Sequence, residues 1–465
     1  MKSITATLDN KHSEPQQFDK TYNVMDHIDS SRSVEYQAVG SNIYSATAGA
    51  KVVKFRLSDD RAWLDPSSVR IQYKITNSTE EATKVENLYP LKAHGFFNRL
   101  RVMSRSSLIE DIGEYNRVHE MFQNLKPDNE TKCEFIEGFK NSMSLNTPIA
   151  TDTTDPLDFF TRIEKGKSMV VNFVPLSGLL NQSHYIPLSF LPLEIELELA
   201  TDATANIIDK KSAKGRTGEK YEDDNDVSEK WQLSEFKLLC DQIYFSPIYN
   251  DIFINMMTQE NGSYKIPINN YTSIYQTLQN TGPIDINISK SVHSLDRVYV
   301  SYYIEPNGGQ RIPAQVAQQV HLKQYNFFYS PASFTTNLRY NSDNDIKRMS
   351  LRIGSLNFPD SPLSSNQVCY YYISKAHPET SITLLEYNLT KFISLFNLER
   401  AGASNNVLAR GIDTNNKNLS LYLEWHAEVA DTVPNAPPKP PQYVHVVMMN
   451  ELMINIFNTH VDILE

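Results

Sequence analysis

The sequence predicts an all-β chain built from two tandem eight-stranded antiparallel jelly rolls, a double jelly roll, with short helices and long loop insertions. Three observations carry that expectation. Short runs in which apolar and polar residues alternate recur from about residue 52 onward, the pattern of half-buried strands. Aromatic residues reach 11%, with 25 Tyr and 21 Phe, side chains that favour strands and buried interfaces over helical bundles. Patterns of the first half return in the second in the same order, and 465 residues at 40% hydrophobic content suffice for two large cores.

The duplication is read from the stretch His94 to Met121. Asn98-Arg99-Leu100-Arg101-Val102 aligns with Asp296-Arg297-Val298-Tyr299-Val300, 198 positions later, each an Asn/Asp-Arg pair entering an alternating strand. Leu193 to Leu199 alternates strictly, which turns Leu193, Ile195, Leu197 and Leu199 toward a core and leaves Glu194, Glu196 and Glu198 for water or a partner. Leu419 to Trp425 repeats it. Each half then closes on a strand, Phe236 to Tyr244 in the first and Tyr443 to Phe457 in the second. A boundary near residue 255 gives an arm at 1–45, a first jelly roll at 46–255 and a second at 256–465.

The net charge of −11 argues against a nucleic-acid-binding surface as the main activity, because phosphate neutralisation needs clustered Lys and Arg. Cys133, Cys240 and Cys369 are widely spaced and odd in number, as expected of reduced thiols that act as small core residues. The first twenty residues lack the apolar run of a secretory signal, and no window approaches the roughly 18 apolar residues of a membrane span. A soluble chain made in the cytosol is expected. Eight Asn-x-Ser/Thr sequons, at Asn77, Asn129, Asn181, Asn261, Asn270, Asn287, Asn388 and Asn418, are what an Asn-, Ser- and Thr-rich sequence yields by composition, and are expected to be unmodified.

Taken in order, residues 1 to about 34 are polar and aperiodic, so they read as an arm ordered by the base of a larger assembly or by a neighbouring subunit. Val53, Phe55 and Leu57 alternate with Lys54 and Arg56, and after an Asp65-Pro66 turn Val69, Ile71, Tyr73 and Ile75 alternate with Arg70, Gln72 and Lys74. Arg99 to Met103 and Leu108 to Asp111 follow as strands. Tyr115, Val118, Phe122 and Leu125 at i, i+3, i+7 and i+10 predict a helix that Pro127 ends. Ser168 to Val174 and Leu188 to Leu199 are strands, the charged run Thr201 to Lys230 an exposed loop, and Pro247 to Gly262 a helical linker. The second half begins at Tyr264 to Ile268, with strands at Tyr271 to Leu278, Ile284 to Ile288, Leu295 to Ile304, Met349 to Ile353 and Val368 to Ile373. Leu389, Phe392, Ile393 and Phe396 predict a short helix closed near Gly402, and Pro434, Pro437, Pro438, Pro440 and Pro441 a stiff exposed loop.

Motifs that carry chemistry are scarce. His119-Glu120 lacks the second histidine of a zinc-protease helix, Gln123 standing in its place, and reads as a helix-surface pair. Asp152, Asp155 and Asp158 lack the glycine and terminal glutamate of a calcium loop and read as a solvated turn. Lys214 to Lys220 has glycines three apart rather than five and no Lys-Ser/Thr pair, so it is a loop and not a phosphate cradle. No catalytic, cofactor-binding or metal-ligating residue is assigned, and no cofactor is expected.

Two groups of residues resemble a known family. His94-Gly95-Phe96-Phe97-Asn98-Arg99-Leu100-Arg101-Val102, Leu108-Ile109-Glu110-Asp111-Ile112 and Tyr115-Asn116 are similar to the first jelly roll of double jelly-roll major capsid proteins of polinton-like viruses, adintoviruses and virophages, and more distantly of adenovirus hexon. Ser294 to Val300, Leu408 to Asp413 and Leu419 to Trp425 are similar to the second, and the resemblance spans most of residues 50 to 465. It implies a homotrimer whose six jelly rolls make a pseudo-hexagonal capsomer, tiled with penton and minor capsid proteins into an icosahedral virion shell around double-stranded DNA. It implies no catalytic residues, no cofactor and no sequence-specific nucleic-acid contact. The competing expectation is a two-domain β-sandwich carbohydrate-binding protein or glycan-active enzyme with its cleft between the halves.

Overall fold

Strand order repeats between the two halves of the chain. The computed structural model describes residues 28–45, 50–80, 86–126, 137, 160–200, 206–209, 227–259, 262–278, 283–303, 322–330, 346–399, 411–425 and 442–464. The first half comprises β1 (Ile28–Gln37), β2 (Ile43–Tyr44), β3 (Val52–Leu57), β4 (Trp63–Asn77), β5 (Phe97–Ser104), β6 (Ser107–Gly113), helix α1 (Tyr115–Asn124), β7 (Ser168–Phe173), β8 (Ile186–Pro187), β9 (Leu193–Leu199) and β10 (Trp231–Phe245). Helix α2 (Pro247–Thr258) leads into the second half. That half comprises β11 (Tyr264–Thr277), β12 (Ile284–Ile288), β13 (Leu295–Tyr303), β14 (Ile346–Ile353), β15 (Leu356–Leu363), α3 (Asn366–Ala376), α4 (Leu384–Leu389), β16 (Ser394–Asn397), β17 (Leu419–Trp425), β18 (Tyr443–Ile456) and β19 (Val461–Leu464).

Four antiparallel sheets result, in the orders β1-β10-β4-β7, β3-β9-β5-β6, β11-β18-β13-β16 and β12-β17-β14-β15, with β2, β8 and β19 as short additions. Apart from those additions each half has eight strands. In both, the first pairs with the last, the last with the third and the third with the sixth, while the second, seventh, fourth and fifth form the facing sheet. This is the jelly roll, made twice.

The repeat corrects one of the sequence alignments. Asn98 to Val102 lies on β5, a fourth strand, whereas Asp296 to Val300 lies on β13, a third strand of the opposite sheet. The counterpart of β5 is β14, in which Met349-Ser350-Leu351, paired with Leu423 to Leu421 of β17, occupies the place of Leu100-Arg101-Val102, paired with Leu197 to Ile195 of β9. Each strand then turns through left-handed residues, Arg105 and Ser106 in one half and Gly354 in the other, into a fifth strand and a helix. An Asn/Asp-Arg entrance with alternation is generic to inner strands, so it matched strands of different rank. The pairings of β9 with β17 and of β10 with β18 stand.

Alternation explains the cores. Val53, Phe55 and Leu57 of β3 pack with Ile195 and Leu197 of β9 and Leu100 and Val102 of β5, all fully buried, against Val69, Ile71, Tyr73 and Ile75 of β4. Tyr73 meets Phe97 edge-on at 5.6 Å, and Phe97 stacks on Phe173 at 5.6 Å, joining the two sheets. In the second sandwich Tyr302 stacks on Phe392 at 5.9 Å and donates to the Met349 sulfur at 3.1 Å. Cys240 and Cys369 are both buried, as expected of core residues.

The glutamates of β9 find partners within the sheet. Arg56 of β3 bonds Glu194 at 3.0 Å, Lys54 bonds Glu196, and Arg101 of β5 reaches Glu196 at 3.4 Å and Glu198 at 3.8 Å. Cross-strand charge pairing, rather than water, is why this strand tolerates three acids.

Several expectations change. Residues 28–37, assigned to the arm, form β1 along β10, held by backbone pairing and by Ser33–Asp241 and Glu35–Lys237 side-chain contacts, with Ile28 and Tyr36 packed against the core. Asp65-Pro66 is not a turn between strands but a register shift within β4. Val368 to Ile373 is not a strand: Ser365 caps Val368 N–H, and Cys369 and Ile373, four apart, turn to the core from α3. The helix expected over Leu389 to Phe396 starts earlier, at the Thr383/Glu386 capping box, and stops at Leu389; Phe392 and Ile393 run extended into β16, buried on both sides. Tyr264 to Thr277 is one continuous strand, with Pro267 tolerated because β11 is an edge. The linker helix and the helix after Gly113 form as expected. Of the sequons, Asn77, Asn270 and Asn388 are buried, whereas Asn181, Asn287 and Asn418 are exposed; Asn129, Asn261, Cys133, the three aspartates at 152, 155 and 158, Lys214 to Lys220, Gly402 and the proline-rich loop lie outside the described residues.

Replacing Leu197 by Asp is expected to bury an unpaired charge and to cost several kcal/mol, about the whole stability of a domain. Soluble Leu197→Asp protein with an unchanged thermal transition would refute this register.

Candidate functional site

Among the described residues no cluster of three or more His, Cys, Asp or Glu is arranged to hold a metal. A cleft of about 590 Å³ does lie between the halves, lined by Arg99, Asp111 and Glu198 of the first and Asn270, Ser273 and Lys290 of the second. Its main ion pair is internal, since Arg99 clasps both Asp111 oxygens at 2.6 and 2.5 Å. The built feature beside it is the joint itself.

Helix α1 carries that joint. The fully buried guanidinium of Arg117 donates to the carbonyls of Gln324, Phe327 (2.9 Å) and Tyr302 (3.0 Å) and to Ser301 Oγ (3.2 Å), all in the second half, and lies 4.5 Å over the Phe328 ring. Burial pushes its pKa down to about 10, which leaves it a cation at neutral pH. Five residues on, Phe122 sits edge-on to Tyr271 at 4.9 Å and Tyr299 at 5.0 Å. The apolar stripe read from the sequence therefore divides: Val118 and Leu125 serve the first core, Phe122 the joint.

A second contact runs through the loop after β7. The buried Glu110 carboxylate accepts from Ser177 Oγ and from the N–H groups of Gly178 (2.6 Å) and Leu179 (3.3 Å). Burial raises its pKa, and these donors oppose the rise. So held, the loop presents Gly178 to β11 so closely that a Cβ there would overlap the Asn269 carbonyl. Only glycine fits.

The third contact is aromatic and titratable. His94 and His119 stack at 4.0 Å, His94 bonds Glu120 at 3.1 Å, and Tyr325 of the second half closes edge-on over His94 at 6.0 Å. His119-Glu120 is thus no surface pair; both residues are buried. Burial pushes the Glu120 carboxyl up, but the neighbouring Lys92, His94 and Lys391 outweigh it and hold the pKa at about 2. Tyr325 also enters a satellite core with Tyr89, Leu91, Phe160, Ile208 and Val227, and Lys323 pairs with Asp209 at 2.8 Å. Trp63 packs on Phe253 of α2 and on Tyr264 of β11.

None of these joint residues is legible from a motif, because partners such as Arg117 and Phe327 are 210 positions apart.

No family model and no curated protein matches the sequence. Solved structures do. A chain of the Sputnik virophage structure aligns with a TM-score of 0.59 at 12% identity, covering 97% of this chain and 92% of that one. The chain carries the double jelly-roll fold. VP54 of PBCV-1 aligns at 0.58 and 11% identity, covering 93% of this chain and 96% of that one, and the Faustovirus major capsid protein at 0.56 and 9%, covering 92% and 90%. The double jelly roll is therefore shared along nearly the whole length.

Arg117→Met is expected to remove a donor from the carbonyls of Gln324, Phe327 and Tyr302, the last of which keeps its bond from Tyr329 N–H, and to cost about 3–5 kcal/mol. Calorimetry should resolve two separated transitions where the parent gives one; an unchanged single transition would count against the role of Arg117. Acid should also weaken the fold. Burial, then His94, lowers the His119 pKa; burial, then Arg297, holds His377 at about 4; burial, then Arg117, lowers His445. Each gains its proton near 6.5 once unfolded, so their stabilisation is complete above about pH 6.5 and is lost as pH falls toward 4. The thermal midpoint should drop across that window, with a shallower slope in His377→Gln; a flat profile contradicts it.

Proposed function

We propose that the chain is a structural major capsid protein, located in the virion capsid, that acts by assembly and catalyses no reaction. It forms a homotrimer that presents six jelly rolls as a pseudo-hexagonal block, and these blocks tile an icosahedral shell around a double-stranded DNA genome together with penton and minor capsid proteins. The fold supports the structural role, and a net charge of −11 accords with a shell that encloses DNA without reading it. The same reading assigns 1–27 to the arm, starts the first jelly roll at β1 and divides the two units inside α2 near residue 255.

One observation carries the trimer. Inside the chain, the fifth strand of the first sandwich and the helix after it, β6 and α1, pack on the first strand of the second, β11. The corresponding fifth strand and helix of the second sandwich, β15 and α3, remain open among the described residues, with Leu356 57% and Tyr371 56% exposed. The corresponding first strand of the first sandwich, β1, is an exposed edge. A head-to-tail contact of β15 and α3 on the β1 of a second copy repeats the joint in trans, and three copies close a ring of six sandwiches. An open edge of ten residues is otherwise a liability for aggregation.

Light scattering on dilute protein should give three times the 53.2 kDa chain mass. Leu356→Asp with Tyr371→Asp should give folded monomers, because both side chains are exposed within one copy. A stable parent monomer or dimer that forms no trimer on concentration would overturn the reading.

A further inference from the structure

What yields first in acid is decided by where the buried histidines sit. Among the described residues these are His94, His119 and His445, and all three lie at the joint between the sandwiches. His445 projects from β18 in the row of Tyr275 and Ser301, where Arg117 of the first half docks. His94 and His119 stack on each other, and Tyr325 of the second half closes over His94. The half-buried His377 joins them. It bonds the Tyr299 hydroxyl at 3.0 Å, beside the ring on which Phe122 packs. The turn after it donates through Thr380 and Ser381 to the carbonyls of Asn124 and Lys126 at the end of α1.

A further proton has no acceptor waiting at two of these rings. His119 Nε2 is taken by the Val174 carbonyl and His445 Nε2 by Ser273, while both Nδ1 atoms are buried without a hydrogen-bond partner among the described residues. Protonated, each Nδ1 becomes a buried donor facing nothing. Neighbouring charge adds to the cost. His445 faces Arg117 of α1, with Tyr275 of β11 at 6.0 Å and Glu114 beyond the guanidinium. His377 faces Arg297 of β13, which Glu399 engages at 2.9 Å. His119 faces His94 and Lys126, with Tyr115 edge-on at 5.7 Å; Glu120 favours its proton, yet that carboxylate is shared with His94, Lys92 and Lys391.

The sandwich cores differ. Their side chains are aliphatic and aromatic, and none titrates between about pH 7 and pH 5. Glu110 and Glu114 at the joint move the other way, because burial raises their pKa and acid favours that native form. Over this range the histidines carry the weakening.

We propose that the joint is an acid-released latch: mild acid parts the two sandwiches about α2 while each remains folded. The contact of Trp63 with Phe253 and Tyr264 has no group that titrates in this range and stays as the pivot. In a shell, whose rings need one fixed angle between sandwiches, release would loosen every block. That consequence rests on the capsid reading; the latch, made within one chain, does not.

A buried thiol tests it. In the full chain with Cys133→Ser, Ser301→Cys places a thiol beside Arg117, and the buried Cys240 and Cys369 report on the two cores. Rates with dithiodipyridine are normalised to the urea-unfolded chain at the same pH. The introduced thiol should react about tenfold faster or more at pH 5 than at pH 7, with Cys240 and Cys369 unchanged. Equal normalised rates at the two pH values, or acceleration of all three thiols together, overturn the inference. The added triple substitution His119→Gln, His377→Gln and His445→Gln should abolish the acceleration; its persistence while Cys240 and Cys369 stay protected overturns it too. The unsubstituted chain gives an independent reading. Its amide exchange, corrected for intrinsic pH dependence, should rise at pH 5 in 322–330 and not in β4, and a rise in neither or in both contradicts the latch.

Discussion

The guanidinium of Arg117 carries hydrogen bonds from a helix of the first sandwich into the backbone of the second. A desolvated cation costs several kcal/mol unless its donors are met, so the sandwiches cannot part without exposing both it and the carbonyls it satisfies. The other joint contacts depend on that geometry. Glu110 orders the loop that brings Gly178 against Asn269, Phe122 enters the gap between Tyr271 and Tyr299, and Tyr325 closes over His94. Each joins a group of the first half to one of the second.

Such a joint differs from a sandwich core in its chemistry. The cores are built by alternation and fill with aliphatic and aromatic side chains, whereas the joint mixes a buried cation, a buried carboxylate, stacked imidazoles and tyrosines. Hydrogen-bond geometry is directional and apolar contact is not, so this mixture specifies one relative orientation of two bodies that could otherwise pack in several ways. A fixed orientation matters if the contact is to be repeated between copies, because a ring of six closes only when every turn is the same.

Strand edges are handled unevenly. Among the described residues β11 and β6 are covered by each other's sandwich, while β1 and β15 are not, although they hold the same ranks in their sheets. The asymmetry lies in the order of the chain and not in the fold: two head-to-tail units make one internal contact and leave one unit with a free front and the other with a free back. Helix α2, which spans the point of connection, shows the same incompleteness in its exposed isoleucines.

The sequence by itself determined that the chain is two all-β sandwiches, because alternation is a local property and each of β3, β4, β9, β12 and β17 displays it. It also determined α1 and α2, whose apolar spacing and bounding prolines are written within a dozen residues. It misjudged elements whose signals compete. The aromatic and β-branched run at Val368 to Ile373 favours a strand locally yet folds as α3, since Cys369 and Ile373 reach the core only at helical spacing. β1 was invisible, because its pairing with β10 is made by backbone groups that every residue possesses. The joint was not legible at all: Arg117, Glu110 and His119 look like ordinary surface residues until the fold brings the second half over them. Only the tertiary structure decided their burial, because the partners that satisfy these buried polar groups come from residues 55 to 210 positions away.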